Sequence, residues 1–475
     1  MFKGISPNQL KDKYDVIVIG SGLGGLVCAN YLAKAGKSVL VIEQHLKPGG
    51  YCTSFKRKDY TFDAAVRLIG SCGNYELIGL ALRGIDVNIN FIKRNPLPLF
   101  FEQEKIEIPF EMEKLKDQLK PIAQDDNLDK IFLDLKKSWR QIQKNNPADS
   151  GFVRLSGISF KEYISGIVKS GRLADVFSSY SPIIGGDASL LSAQAVLGLV
   201  GSYLLDGTYQ IAGGAQNLSD LLTESLQNKG GSIIFSSLVN KIAISEGAVS
   251  GIEIGKKRVG CSNVVSGVDA LQTFFSMLGK QYLDQEFIDR IKSMKTGRDI
   301  FTMYLGIKNS KIIEDFEGYY FSNWNIAEQD KFIMTLEVPS KLDRSICQGN
   351  DSIAIVSCYI PKNLDKIKDW KKKGEEIKNK LLLRLEKMIP EIREQVEVIE
   401  YATPETYYKY TLNHNGSAFG WDHIPGQTGP DRLANQTPIK GLYLTGHWTQ
   451  PGGGSMNAIL SGRMTSSMIL KCLKE

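Results

Sequence analysis

Histidine is scarce in this chain, and the four present, His45, His414, His423 and His447, stand at no spacing of three or four from one another. That excludes the paired imidazoles of a helical zinc site, and no metal centre is expected. Cysteine occurs seven times, at Cys28, Cys52, Cys72, Cys261, Cys347, Cys358 and Cys472, an odd number with no C-x-x-C spacing. These read as reduced thiols of a cytoplasmic protein rather than a disulfide framework. No long hydrophobic run is present. The longest uncharged stretch, Ala188 to Leu205, is diluted by Ser189, Ser192, Gln194, Gly198, Gly201 and Ser202, so a buried helix is expected there rather than a span of about 20 apolar residues. The opening MFKGISPNQLKDKY holds no apolar core of a secretory signal. A G-x-S-x-G elbow, a C-x-x-C-H haem site, internal repeats and low-complexity tracts are all missing. Charge of either sign is also in short excess, with 58 Lys and Arg against 52 Asp and Glu. The mild basic surplus suits peripheral contact with an anionic membrane surface, or ordinary solubility equally well. The lysine-rich Lys366 to Lys380, with Glu375 and Glu376 interleaved, reads as a solvated helix face, and no nucleic acid partner is expected.

Glycine, in contrast, is abundant and concentrated in two turns more than four hundred residues apart, YDVIVIGSGLGGLVCAN (14–30) and GLYLTGHWTQPGGGSMNAILSGR (441–463). In the first, the apolar run Asp15 to Ile19 predicts a strand, Gly20, Gly22 and Gly25 form G-x-G-x-x-G, and Leu26 to Ala35 predicts a helix. A pyrophosphate can sit on the N–H groups of such a helix's first turn, provided no Cβ at Gly20 or Gly22 blocks the approach, while Gly25 lets helix and strand pack closely. The next strand, Ser38 to Ile42, delivers Glu43, whose carboxylate is placed to accept hydrogen bonds from ribose hydroxyls and to repel a 2′-phosphate. The context makes the motif specific for a dinucleotide without choosing between NAD and FAD. No second G-x-G-x-x-G is present for a separate nicotinamide nucleotide.

The continuation EQHLKPGGYCTSFKRKDYTFD (43–63) resembles the N-terminal signature of the phytoene desaturase and carotenoid cis-trans isomerase family, within the FAD-dependent amine oxidase superfamily. YQIAGGAQNLSDLLTESLQNKGGSIIFSSLVNKI (209–242) is similar to that family's central segment, ATPETYYKYTLNHNGSAFG (402–420) to its Thr-Pro-x-Thr stretch, and 441–463 to its C-terminal flavin-binding turn. The resemblance implies FAD as cofactor. It implies that Gly49 and Gly50 carry a turn beneath the cofactor, and that Val239 meets the adenine through its backbone. Gly446 and the run Gly452 to Met456 would bring backbone amides to the pyrophosphate and the flavin; Leu23, Gln44, Gly454, Ser455 and Met456 complete the expected set. His447 stands where many relatives carry an acidic residue, so that role is not carried over, although a hydrogen bond to the cofactor is compatible with it.

The expected fold is α/β: a discontinuous Rossmann-type FAD-binding domain formed by 1–95, 206–298 and 402–475, and a substrate domain formed by 96–205, mostly helical, and 299–401. Strand runs at Phe301 to Ile307, Phe332 to Val338 and Ile353 to Ile360, followed by the charged helix Lys371 to Met388, predict a mixed sheet backed by helices on one side. An amphipathic helix is expected from Ser455 to Leu473. For proton transfer only weak candidates exist, Asp63, Arg67, Lys409 and Tyr410, and each reads more readily as a structural polar group. The expected activity is an FAD-dependent oxidoreductase of a long apolar unsaturated lipid, by carotenoid-type desaturation or cis-trans isomerisation, with Ala188 to Leu205 lining a tunnel. A saturase of conjugated double bonds is the first alternative, an amine oxidase using Trp448 and Tyr410 as its aromatic pair the second, and a non-catalytic flavin-binding protein the third. Transfer cost places such a substrate, and hence the enzyme, at a membrane surface. The electron acceptor is left open.

Overall fold

The computed structural model of the chain describes residues 4–101, 104–109, 111–123, 127–144, 150–308, 311–322, 332–360, 367 and 369–473. Lys366 and Lys368 of the lysine-rich segment lie outside them. The first sheet has Lys13–Ile19 at its middle, paired in parallel with Val39–Ile42 on one side and with Lys257–Ser266 on the other. Ser232–Ile234 extends it beyond Val39–Ile42, and Leu442–Leu444 adds in parallel to the end of Lys257–Ser266. An antiparallel edge, Ala248–Ile254 then Val239–Ser245, completes the seven strands. Segments from the start, middle and end of the chain thus meet in one sheet. Its central strands are buried on both faces: Val16 and Val18 belong to one apolar cluster, Ile17 and Ile19 to the other. That explains why the sequence there is an unbroken apolar run rather than an alternating one.

Helix Leu23–Lys34 covers one face and packs on the last helix, Ser455–Cys472. The helix starts three residues earlier than Leu26, so Gly25 lies inside it, where a Cβ would fall 2.2 Å from the carbonyl oxygen of Gly20. Close helix–strand packing is therefore the reason for this glycine. The final helix buries mainly small and hydroxyl side chains, Ser461, Gly462, Thr465 and Ser466 beside Ile459, Leu460 and Ile469. The buried stripe is thus built for close approach, not for apolar bulk.

The second sheet has the order Val396–Ala402, Asp299–Ile307, Ser352–Ile360, Phe332–Glu337, Gly318–Ser322, Leu99–Phe101, Glu104–Ile106. All neighbours are antiparallel except Gly318–Ser322 with Leu99–Phe101, which makes the sheet mixed. Successive side chains alternate between its faces. Phe301, Met303, Leu305 and Ile307 join Ile377, Leu381, Leu382 and Leu385 of helix Trp370–Met388 in one core, while Ile300 and Thr302 face the other way, toward a cavity. Among the described residues of 96–205 the regular elements are helices, apart from two short strands, Leu99–Phe101 and Glu104–Ile106, that extend this sheet. Their three-residue length leaves no periodicity to read, so the local pattern hid them. Helix Ala193–Leu205 is buried at most positions, and among the described residues no helix is long and apolar enough to cross a membrane.

Candidate functional site

A cavity of about 1200 Å³ lies between the two sheets and collects residues from nearly the whole chain. One part is lined by Gly20, Gly22, Leu23, Glu43, Gln44, Gly49, Gly50 and Val239, another by Gly446, His447, Gly454, Ser455 and Met456. A third part is lined by Arg67, by helix residues Gln194, Ala195, Gly198, Leu199, Ser202 and Tyr203, and by Ile300, Thr302, Thr335, Glu337, Ser357 and Tyr359 of the second sheet. Its volume exceeds the roughly 300–1,000 Å³ typical of a site for one small ligand. Gly25 lies behind the lining, in the role described above.

Two helix N-termini face this space. Helix Leu23–Lys34 begins at Gly22 and helix Ser455–Cys472 at Gly454, both without a side-chain cap. A Cβ at Gly22 or Gly454 would meet nothing within 4 Å, so both glycines border open room. The first N–H groups of a helix lack intrahelical acceptors and carry its positive end, which favours a diphosphate. Glu43, 7% exposed, stands across from the first terminus. Its Oε2 accepts from the Ser21 N–H at 2.9 Å and from the Ser21 hydroxyl, and its Oε1 accepts from the His45 N–H at 2.8 Å. The carboxylate is held in place by these bonds and keeps lone pairs for ribose hydroxyls. The donor set and the open cradle fit FAD.

Several expectations need correction in detail. Gly20 has φ +90°, and a Cβ there would lie 2.7 Å from Val268, so turn geometry and packing require it rather than ligand approach. The Gly446 N–H donates to Ser461 Oγ at 3.0 Å, and the Gly453 N–H to His423 Nε2 at 2.9 Å. Neither amide is free for a ligand. Asp63 lies outside the cavity lining. Its Oδ1 accepts from Ser54 Oγ at 2.6 Å and from the Ala215 N–H at 2.7 Å, tying the hairpin of Ser54–Arg57 and Tyr60–Asp63 to the start of helix Gln216–Asn228. Burial pushes its pKa up to about 6, against the pull of those hydrogen bonds. Lys409 is exposed and outside the lining, while Tyr410, 54% exposed, lies at the edge of the cavity. Trp448 is 1% exposed, donates from Nε1 to Asn413 Oδ1 at 2.9 Å and stands edge-on to Trp421. It does not line the cavity, so the aromatic pair Trp448 and Tyr410 is not formed.

His447 does line the cavity, and its Nε2 is buried without a hydrogen-bond partner. Burial first, and Arg432 second, pull its pKa down to about 3, so the imidazole is neutral at physiological pH. Arg67 donates from Nη1 to Ser357 Oγ at 2.9 Å and pairs through Nε with Glu337 Oε1 at 2.9 Å. Burial, the largest single influence, opposes its charge, but Glu337 together with Tyr407, Tyr304 and Tyr359 outweighs it and holds the pKa above the ordinary value.

Sequence reasoning missed the support beneath the C-terminal turn. Arg432, 1% exposed, donates to five backbone carbonyls, those of Thr449, Asp422, Gln427, Trp421 and His447. Burial lowers its pKa to about 9. Asn435 Nδ2 likewise reaches the Leu444 and Gln450 carbonyls and the Ser461 and Thr465 hydroxyls. Neither residue sits in a recognisable motif, so no local signal marks them.

Comparison with known proteins agrees with this geometry. Residues 18–80 match the model of an NAD(P)-binding Rossmann-like domain. The chain is 24% identical to prolycopene isomerase 1, chloroplastic, of an Oncidium hybrid cultivar, over 96% of this chain and 84% of the relative. It is 24% identical to all-trans-retinol 13,14-reductase of Rattus norvegicus, over 99% and 88%. With phytoene desaturase (lycopene-forming) of Pseudescherichia vulneris it shares 22% identity over 96% and 99%. Among solved structures, a variant of putrescine oxidase superposes with a TM-score of 0.70 at 14% identity, covering 97% of this chain and 99% of that one. The chain is thus similar over nearly its whole length to prolycopene isomerase and phytoene desaturase, carries a Rossmann-like dinucleotide-binding segment, and has the fold seen in putrescine oxidase.

Proposed function

We propose that the protein is an FAD-dependent oxidoreductase acting on a long apolar unsaturated lipid, by desaturation or cis-trans isomerisation of a carotenoid-type polyene. The observation that carries this reading is the continuity of the cavity. The two helix termini that suit a dinucleotide open into a passage along one stripe of helix Ala193–Leu205, from Gln194 and Ala195 to Ser202 and Tyr203. In this reading the amides of Leu23, Ser455 and Met456 hold the pyrophosphate and the flavin's anionic edge, Glu43 and Gln44 the ribose, and the Val239 backbone the adenine. Gly22, Gly50, Gly446 and Gly454 keep the space clear, whereas Gly49, whose Cβ would fall 2.4 Å from the Cys52 carbonyl oxygen, serves the turn itself. Bound FAD supplies hydride acceptance or donation at its N5. His447, kept neutral, offers a ring nitrogen to cofactor or substrate without placing a second charge beside the site. No residue of the lining is assigned as a general base.

The relatives' names favour an isomerase, a desaturase and a reductase alike, so saturation of a conjugated double bond is the second reading. Product mass separates the three. A polyene is incubated with the FAD-loaded protein, once with the flavin oxidised and once with it pre-reduced by dithionite. A desaturase gives a product two hydrogens lighter on the oxidised flavin; on the reduced flavin an isomerase gives a product of unchanged mass and a saturase one two hydrogens heavier. Absence of any product with polyenes, together with aldehyde from a simple amine, would refute the proposal. Burying about 0.8 kcal/mol per CH₂ makes such a substrate costly to pass through water. We therefore also place the protein at a membrane surface, and failure to sediment with anionic vesicles at low salt would count against that.

A further inference from the structure

We infer that the substrate carries a neutral hydroxyl-type oxygen, so that the ligand is an isoprenoid alcohol or similarly oxygenated polyene rather than a bare hydrocarbon; this rests on the lipid reading above and narrows it. The floor of the passage is the second sheet, and a hydrocarbon would be best met there by apolar side chains. Instead, strand pairing sets Tyr319 beside Thr335, Thr335 beside Ser357 and Ser357 beside Thr302. Directly paired residues project to the same face. Four hydroxyl-bearing side chains therefore cross four adjacent strands in one row, and all four line the cavity.

One end of the row is satisfied internally. Thr302 Oγ1 lies 2.9 Å from the Tyr407 hydroxyl and 3.2 Å from Ser357 Oγ, which accepts from Arg67 Nη1. Thr335, farther along the row, is not. Thr335 Oγ1 and, two residues along the same strand and so on the same face, Glu337 Oε2 are buried without a hydrogen-bond partner. Glu337 is 5% exposed and Thr335 8%. Such groups are rarely left unpaired in a folded protein, because the desolvation cost is not recovered. An apolar ligand in the passage would offer them no partner, whereas an O–H donor would satisfy Glu337 Oε2 and a ligand oxygen could accept from Thr335 Oγ1. The Arg67–Glu337 ion pair makes the local charge zero, which favours a neutral alcohol over an ammonium or a carboxylate. Arg67 and Glu337 act here as positioning residues for the ligand's polar end, and no proton transfer is assigned to them.

The test compares three ligands on the FAD-loaded protein in one detergent: a polyprenyl alcohol, the hydrocarbon with hydrogen in place of the hydroxyl, and the matching primary amine. Dissociation constants come from quenching of intrinsic fluorescence. A charge-assisted hydrogen bond predicts about ten- to hundredfold tighter binding of the alcohol than of either other ligand. Thr335→Val, nearly isosteric, and Glu337→Gln should each reduce that preference severalfold while leaving hydrocarbon binding as it was. Equal affinity for alcohol and hydrocarbon, or tightest binding of the amine, overturns the inference while leaving isoprenoid binding itself observed. Failure of all three to bind overturns the lipid reading and the inference together. Should either variant lose its FAD and so report only misfolding, the three-ligand comparison on the unaltered protein decides alone.

Discussion

Gly22→Ala and Gly25→Ala, three residues apart in one turn, separate folding from cofactor binding. Gly22 has φ −66° and ψ 170°, extended backbone that any residue adopts, and its added Cβ would meet nothing within 4 Å. The apo-protein should fold with unchanged stability, since lower unfolded-state entropy, about 0.4–1 kcal/mol, nearly cancels the poorer cap, about 0.5 kcal/mol. The methyl group nevertheless stands in the open space before the first helical N–H groups. Displacing a phosphate from one of them removes a charge-assisted hydrogen bond of about 1.5–3 kcal/mol, or about ten- to hundredfold in Kd. Gly25→Ala drives a Cβ to 2.2 Å from the Gly20 carbonyl oxygen, and overpacking of this kind costs about 1–3 kcal/mol of fold stability. FAD titration of the apo-proteins by flavin fluorescence, with denaturant melts alongside, gives both quantities. Wild-type FAD affinity in Gly22→Ala, or an unaltered melt in Gly25→Ala, would refute the reasoning.

Arg432→Met strips donors from five buried carbonyls and should cost more than about 4 kcal/mol in denaturant melts; Arg432→Lys, with three donors, should rescue it only in part. His423 is 3% exposed and accepts from the Gly453 N–H, and burial holds its pKa well below the usual value. Its contribution is therefore present above about pH 6.5 and lost as pH falls, by up to about 1.4 kcal/mol per pH unit; melts at successive pH values should show a shallower acid loss in His423→Gln. Ala195→Trp, on the passage stripe of helix Ala193–Leu205, should raise KM for long polyenes several-fold while FAD content stays at one per chain.

The dinucleotide half of the molecule was readable because its chemistry is local. Glycine spacing, the unbroken apolar strand and Glu43 each state their role within about thirty residues. The strand partners of the second sheet were only partly readable, since Leu99–Phe101 is too short to show alternation and pairs with a strand over two hundred residues away. Roles that depend on which atom a neighbour already engages were not readable at all. The Gly446 amide is spent on Ser461, Asp63 on Ser54 and Ala215, and Trp448 on Asn413. Arg432 and the hydroxyl row of the second sheet owe their positions to long-range register, which no local pattern encodes.

The measurement that tests the central claim most directly is anaerobic titration of the FAD-loaded protein with vesicles carrying candidate polyenes, followed by flavin absorbance. The account predicts bleaching by a polyene with a product two hydrogens lighter, or conversion of the polyene after prior reduction of the flavin. An oxidised flavin untouched by every polyene, with none converted by the reduced form, yet bleached rapidly by a simple amine, would contradict it.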